Sequence, residues 1–405
     1  MILTTVPPQA SGPTGPGIRR GWLWVAVALL AAAPAHGQIR PRARDVGVAP
    51  GILPTGPLNA ITDVPGVLVG QTTVIQGDAV RTGVTAILPH GGNLYRDRVP
   101  AAVFVINGFG KLLGTTQLRE LGELETPILL TCTLCVWKAA DAMVAHLLQQ
   151  PGMEEVRSIN PVVGETNDAF LNAIRERPVT SADVVAALTG ARAGPVAEGS
   201  VGAGTGTTTL GWKGGIGTAS RQVRIGDSTW TVGVLVQTNF GGSEGLILMG
   251  VPVGRLLGRD GLSGATAPRG PTGSVMIVVA TDAPLSDRNL ERLASRADIG
   301  LGRTGATAGN GSGDYVLAFA TNAAVRRPAG GAWLESPQIG NDVMSALLAG
   351  VIEATEEAID NALFAATTVT ANGHTVEALP LAEVLAILRE RHALAPPLPA
   401  APARP

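Results

Sequence analysis

Pro271-Thr272-Gly273-Ser274 sets a hydroxyl at the head of the run Val275-Met276-Ile277-Val278-Val279-Ala280. A serine oxygen held at one backbone point can attack a carbonyl once a base takes its proton. Taken by itself, the same Gly-Ser pair is how many turns enter a strand. Other groupings could join it or rival it. Gly311-Ser312-Gly313-Asp314 places a hydroxyl two residues before a carboxylate, and Gly164-Glu165-Thr166-Asn167 a carboxylate two residues before an amide. Gly241-Gly242-Ser243-Glu244-Gly245 fits G-x-S-x-G after an apolar segment, the setting of an esterase nucleophile elbow, and Asp360 and His374 or His392 follow in the order such a triad requires.

Two further patterns carry less. Gly202-Ala203-Gly204-Thr205-Gly206 with Lys213 has the glycine density of a phosphate-binding loop, but no Ser or Thr follows the lysine and no convincing strand precedes the glycines. A close-packed glycine segment accounts for it better than a nucleotide-binding module. Cys132 and Cys135 are spaced as a redox pair, yet they lie in the apolar run 128–137, which reads as two buried, inert thiols. The 5 histidines lie in no catalytic context, and no His/Cys/Asp cluster has ligand spacing, so neither a metal nor an organic cofactor is implied.

The elements that must position these residues follow from periodicity and punctuation. Short apolar segments at 67–69, 84–88 and 101–106, bounded by Gly, Pro or Asn, read as strands of a first sheet. Helical patterns cover 138–150, ended by Pro151-Gly152, and 181–188, where Thr180 and Asp183 have capping-box spacing and Gly190 follows. Residues 199–217 are so rich in glycine that they read as loop or strained strand. Strands resume at 229–236, 274–280 and 315–321, and helices at 286–297, at 342–366 with Asn341 as its cap, and at 381–392. A strand as uniformly apolar as 274–280 is covered on both faces, which calls for layers above and below it.

A 45% hydrophobic content supports a sizeable core, and 53 glycines with 15% charged residues describe small-residue packing and tight turns. The net charge of −2 offers no basic face for nucleic acid. Arg19-Arg20, an uncharged apolar run over 21–35 and small residues to Gly37 read as a signal peptide over 1–37, too short for a comfortable membrane anchor, which implies a periplasmic or secreted protein. An unperiodic arm over 38–60, one α/β domain over 61–394 and a Pro-rich disordered tail over 395–405 complete the expected organisation.

Six stretches in one order, 56–72 (GPLNAITDVPGVLVGQT), 82–93 (TGVTAILPHGGN), 107–131, 162–172 (VVGETNDAFLN), 202–220 and 311–321 (GSGDYVLAFAT), resemble the family of L-aminopeptidase/D-amino-acid esterases and β-peptidyl aminopeptidases. The resemblance implies a four-layer αββα sandwich of the N-terminal-nucleophile type. It implies a precursor that cuts itself between Gly273 and Ser274, and homo-oligomers of the two-fragment protomers. Ser274 is then nucleophile and, through its freed α-amine, base, which removes the need for a histidine. By position, Ser312 and Asp314 resemble the pair that hydrogen-bonds the nucleophile and its amine, although the family often has Glu where Asp314 stands. Asn239 resembles the oxyanion-hole donor, and Glu165, with Asn167 helping, the carboxylate that receives the free amine of a small peptide or amide. Related ornithine acetyltransferases use threonine as the nucleophile, so serine at 274 argues for hydrolysis. The preceding glycine is expected to permit a strained backbone at the cut.

Overall fold

A computed structural model of the chain describes residues 40–258, 272–334 and 336–396. The expected signal peptide, Pro271 ahead of the cut, and 397–405 of the tail lie outside the described residues.

Among the described residues, a four-stranded sheet has the order β1 (Leu68–Gln76), β2 (Val80–Leu88), β5 (Ile128–Cys132) and β6 (Val162–Thr166). A seven-stranded sheet runs β13 (Arg327–Pro328), β3 (Asp97–Gly108), β12 (Gly311–Ala320), β11 (Thr272–Thr281), β10 (Ser228–Asn239) and β9 (Ile216–Ile225), with β4 (Glu123–Leu124) on β3. Two short pairs, β7 (Thr208–Thr209) with β8 (Trp212–Lys213) and β14 (Val369–Ala371) with β15 (His374–Val376), stand apart. The helices are α1 (Thr115–Glu120), α2 (Val136–Leu147), α3 (Ser181–Thr189), α4 (Val253–Leu256), α5 (Asp287–Arg303), α6 (Met344–Ala365) and α7 (Leu381–Glu390). None of the described helices is long and apolar enough to cross a membrane.

Three of the four apolar clusters among the described residues hold the two main sheets and their helices. Val84, Ala86, Leu129 and Val163 of the smaller sheet pack on Val136, Ala139 and Met143 of α2 and on Val184 and Ala187 of α3. The opposite faces of the two sheets meet through Ile87, Ile128, Leu130, Met276, Val278, Leu317 and Phe319. Val275, Ile277 and Val279 turn the other way, onto Leu290 and Leu293 of α5 and Leu347, Val351 and Ala358 of α6. The apolar strand β11 is thus covered on both faces, as its composition requires, and each such side chain contributes about 1.5–3 kcal/mol by leaving water.

Several local expectations hold, among them the capping box, where the Thr180 side chain accepts from the Asp183 N–H at 3.3 Å and the Thr180 N–H donates to Asp183 at 2.8 Å. Others are corrected. β3 leaves the first sheet and pairs antiparallel with β12 in the larger one. Asn341 does not cap α6, which starts at Met344 after a 3-10 turn, because its side-chain oxygen accepts from Arg292 at 2.8 Å. The glycine-rich stretch contains a 3-10 turn at Gly202–Gly204 and the β7–β8 pair before β9 begins. Cys132 and Cys135 are not free thiols. The end of β5 and the 3-10 turn Thr133–Cys135 bring their Cα atoms to 5.1 Å, within disulfide range, and they are bonded.

Candidate active site

The antiparallel register of β10 and β11 sets Asn239 opposite Ser274, and the parallel register of β11 and β12 sets Gly273 opposite Ser312 and Ser274 opposite Gly313. Strand pairing therefore collects residues that the chain keeps far apart. Ser274 Oγ donates to the carbonyl oxygen of Gly273 at 2.6 Å. Gly273 is not among the glycines with positive φ, so the strained backbone expected there is absent. Glycine is required instead for space: a Cβ would lie 2.7 Å from Phe240 Cα and 3.0 Å from the Asn239 carbonyl oxygen.

Side chains alternate along β11, so Ser274 shares its face with Met276 and Val278, toward the smaller sheet. Along β12, Ser312 and Asp314 share theirs with Val316, on the helix side. The serine and the Ser312–Asp314 pair thus flank the Gly273–Ser274 peptide from opposite faces. Ser312 Oγ donates to Asp314 Oδ1 at 2.6 Å, while Asp314 Oδ2 is buried with no hydrogen-bond partner among the described residues. Burial pushes the Asp314 carboxyl above its ordinary range, against the Ser312 hydroxyl and the Val275 N–H, which favour the ionised form. A cavity bounded by Phe240, Gly273, Leu301 and residues 306–309 opens against Ser312 and Asp314.

Asn239 is held at both ends of its amide. Its Oδ1 accepts from the Thr208 N–H at 3.0 Å, and its Nδ2 donates to the Asn167 carbonyl oxygen at 2.9 Å. An amide nitrogen carries two hydrogens, so one remains to serve another acceptor. Asn167 contributes its backbone. Its side-chain oxygen is turned into the local turn, accepting from the Ala169 N–H at 3.1 Å.

Glu165 is buried. Its Oε1 accepts from the Lys111 N–H at 2.9 Å and lies 3.8 Å from Lys111 Nζ, and its Oε2 accepts from the Thr133 hydroxyl. A Cβ on Gly110 would lie 3.0 Å from Gly313 Cα and 3.2 Å from Glu165 Oε1, so the carboxylate and the register partner of Ser274 flank the same glycine.

The sequence reading missed Lys111, Thr133, Thr208 and Asp168, and considered Lys213 only as the lysine of a phosphate-binding loop. Lys213 is fully buried, with Nζ on the carbonyls of Gly204 at 2.9 Å and Gly214 at 2.7 Å, and burial lowers its pKa to about 7. It lies opposite Thr208 in the β7–β8 pair and so braces the strand whose N–H orients Asn239. Asp168 is pushed up to about 7 by burial, against a 2.9 Å hydrogen bond from Asn172. No local pattern marks Thr133 or Thr208. Asp168 sat inside a recognised segment, without a spacing that assigns it work.

The rival groupings do not assemble. Ser243 opens a 3-10 turn, His374 stacks on Phe170 beside β14–β15, and Asp360 is buried in α6 beside Glu356 and Glu357. Among the described residues no hydrogen bond joins the three. Lys213 is consumed by backbone carbonyls, and a Cβ on Gly206 would lie 2.0 Å from the Arg81 carbonyl oxygen, so the glycines serve close packing.

A model of peptidase family S58 matches residues 59–376, a span that holds Glu165, Asn167, Asn239, Ser274, Ser312 and Asp314. The chain belongs to peptidase family S58. The chain is 42% identical to β-peptidyl aminopeptidase BapA of Sphingosinicella microcystinivorans, over 91% of this chain and 96% of that one. It is 44% identical to β-peptidyl aminopeptidase BapA of Sphingosinicella xenopeptidilytica, over 87% and 92%. The L-aminopeptidase D-Ala-esterase/amidase of Ochrobactrum anthropi, a prototype serine aminopeptidase with a variant of the N-terminal-nucleophile hydrolase fold, superposes with a TM-score of 0.82 at 38% identity, over 88% of this chain and all of that one. The resemblance read from the six stretches is thereby borne out. This S58 member is a mixed α/β serine aminopeptidase of the amidohydrolase type, and the esterase-elbow and nucleotide-binding readings fall away.

Proposed function

We propose that the protein cuts itself between Gly273 and Ser274 and then uses Ser274 to release N-terminal residues from small peptides, amides or esters. The observation that carries this reading is the Ser274 hydroxyl 2.6 Å from the Gly273 carbonyl oxygen, at a strand start flanked by Asn239 and by the Ser312–Asp314 pair. In the self-cleavage, Oγ attacks the Gly273 carbonyl carbon and the bond to the Ser274 nitrogen breaks as that nitrogen takes the hydroxyl proton. Water then hydrolyses the ester, leaving a Gly273 carboxylate and a free Ser274 amine.

Freed from Gly273, the amine can swing toward the helix-side face. There the unpartnered Asp314 Oδ2 and the Ser312 hydroxyl receive it. With an ordinary pKa of about 8, the amine takes the proton of Oγ as the serine attacks a substrate carbonyl. The second hydrogen of Asn239 Nδ2 stabilises the oxyanion, a contribution of about 3 kcal/mol in comparable sites. Glu165 binds the substrate's ammonium and fixes the distance from the N-terminus to the scissile bond, which makes the enzyme an exopeptidase.

The same reading takes the three apolar clusters as the seams of a four-layer αββα sandwich. It assigns 1–37 to a removed signal peptide, the mature enzyme to the periplasm or the medium, and the processed protomers to a symmetric homo-oligomer. The Cys132–Cys135 disulfide supports an oxidising compartment.

Purified protein should run as two fragments, the smaller starting Ser-Val-Met-Ile, and Ser274→Ala should stay uncut and inactive. A single intact chain with full activity overturns the mechanism. The names of the relatives span L-, D- and β-substrates. Anilides of L-Ala, D-Ala and β-Ala distinguish these, with N-acetylated counterparts as poor substrates throughout.

A further inference from the structure

The carboxylate of Glu165 depends on a turn that is covalently closed. Thr133, whose hydroxyl bonds Glu165 Oε2, sits between the two bonded cysteines. Cys132 is the last residue of β5 and pairs with Thr166, the neighbour of Glu165 in β6, while Cys135 immediately precedes α2. No side chain caps the 3-10 turn 133–135 or the start of α2. With no side-chain cap to fix this junction, the covalent bond ties the strand end to the helix start. A cross-link with a sequence separation of 3 closes a very short loop and restricts the unfolded chain far less than a long-range one does. Its effect is concentrated on the geometry of the turn it closes. Both sulfurs are buried in the apolar cluster under α2, and Thr133 is buried with them.

The geometry points to the Cys132–Cys135 disulfide and Thr133 as one positioning unit for Glu165, which sets the affinity of the enzyme for the free amine of its substrate. This rests on Glu165 being the ammonium site. With the turn fixed, the threonine hydroxyl holds Oε2 and the Lys111 N–H holds Oε1, so the carboxylate presents itself in one orientation. With the turn loosened, the carboxylate swings toward Lys111 Nζ, already 3.8 Å away and in competition with the substrate's ammonium.

The test uses the self-processed enzyme, an aminoacyl p-nitroanilide and its N-acetyl counterpart. Thr133→Val keeps the branched shape and removes the hydroxyl. It should raise KM about tenfold with kcat within about twofold and processing intact, and Thr133→Ser should restore most of the affinity. Cys132→Ala/Cys135→Ala should raise KM several-fold in the same direction. Added to Thr133→Val, it should do nothing more, because both changes remove the same hydrogen bond. If the double variant does not fold, wild-type protein folded with excess dithiothreitol, its thiols counted, gives the same comparison. A normal KM in the disulfide-free enzyme, with only a lower Tm, overturns the proposal while Glu165→Gln still raises KM. A normal KM in Glu165→Gln overturns the ammonium site itself, and the positioning unit with it.

Discussion

Helix α6 and the β11–β12 strand pair both bury carboxylates and surround them differently. On α6, Arg221 of β9 donates to Glu353 at 3.0 Å and to Glu357 at 2.7 Å, Arg44 adds a second guanidinium to Glu357, and Asn59 Nδ2 approaches the same carboxylate at 2.5 Å. The N–H groups of Ile52 and Leu53 close Glu353, each at 3.0 Å. Burial alone would raise the Glu357 carboxyl, but the two arginines outweigh it and hold it below its ordinary range. At β12, Asp314 has the Ser312 hydroxyl on one oxygen, and among the described residues no cation pairs with it. A carboxylate enclosed by donors fastens the segment 44–59 to the helix. One that is desolvated, half-satisfied and set against a cavity is placed to receive a partner. Asp360 sharpens the contrast: its Oδ1 also lacks a partner among the described residues, but it does not line the cavity beside Ser312, so its unmet polarity only costs stability.

The comparison breaks most forcefully at Arg221. Arg221→Met leaves Glu353 and Glu357 short of a buried cation and should cost about 3–5 kcal/mol, read by urea denaturation, with the fraction that remains folded keeping its specific activity. An unchanged midpoint would show that Arg44 and the backbone suffice.

Asp314→Asn should do the opposite. We expect kcat/KM to fall about 100-fold, while in the uncut Ser274→Ala background, where no amine faces Asp314, stability holds or rises because an uncompensated buried charge is removed. A stability loss as large as that of Arg221→Met would put Asp314 in the structural class. Activity should decline at acidic pH as the Asp314 carboxylate takes a proton and can no longer receive the Ser274 amine, and that acidic limb should be absent in the variant's residual activity.

A smaller effect is expected at Asp360. Its folded pKa lies well above the unfolded one, through burial and then Glu356 and Glu357, so the folded state holds the proton longer. Stability is therefore lost as pH rises from the unfolded value toward the folded one. Asp360→Asn removes that dependence, and its Tm should match the wild type at pH 4 and exceed it by a few degrees at pH 8. A variant less stable at both pH values would give this carboxylate a partner that the comparison denies it. The smallest change belongs to Ser243→Ala, which should process normally and keep activity within about twofold. A large loss there would reopen the esterase reading.

Local patterns reached far into this molecule. The uninterrupted apolar run after Ser274 announced a strand covered on both faces, Thr180 and Asp183 announced the start of α3, and the glycines around 202–206 announced close packing. These features are legible because neighbours along the chain produce them. The start of α6 was misread because Asn341 has a choice between its own helix and Arg292, and the helix is not the winner. The disulfide was missed because nothing in C-x-x-C spacing says whether a turn will close it.

For the candidate site, the kinds of groups were readable and their relations were not. The residue types alone determined that a serine stands after a glycine at the head of a buried strand, with carboxylates and an amide elsewhere to assist it. The register that sets Asn239 opposite Ser274, and Phe240 against Gly273 where a side chain would stand, exists only once β10 and β11 have paired. Which carboxylates are neutralised was decided later still. Arg44 reaches Glu357 across 313 residues of chain, while among the described residues no guanidinium pairs with Asp314. Desolvation and Coulomb energies depend on distances that sequence spacing does not contain, so the tertiary structure alone separated the charges that brace this protein from those positioned to do its chemistry.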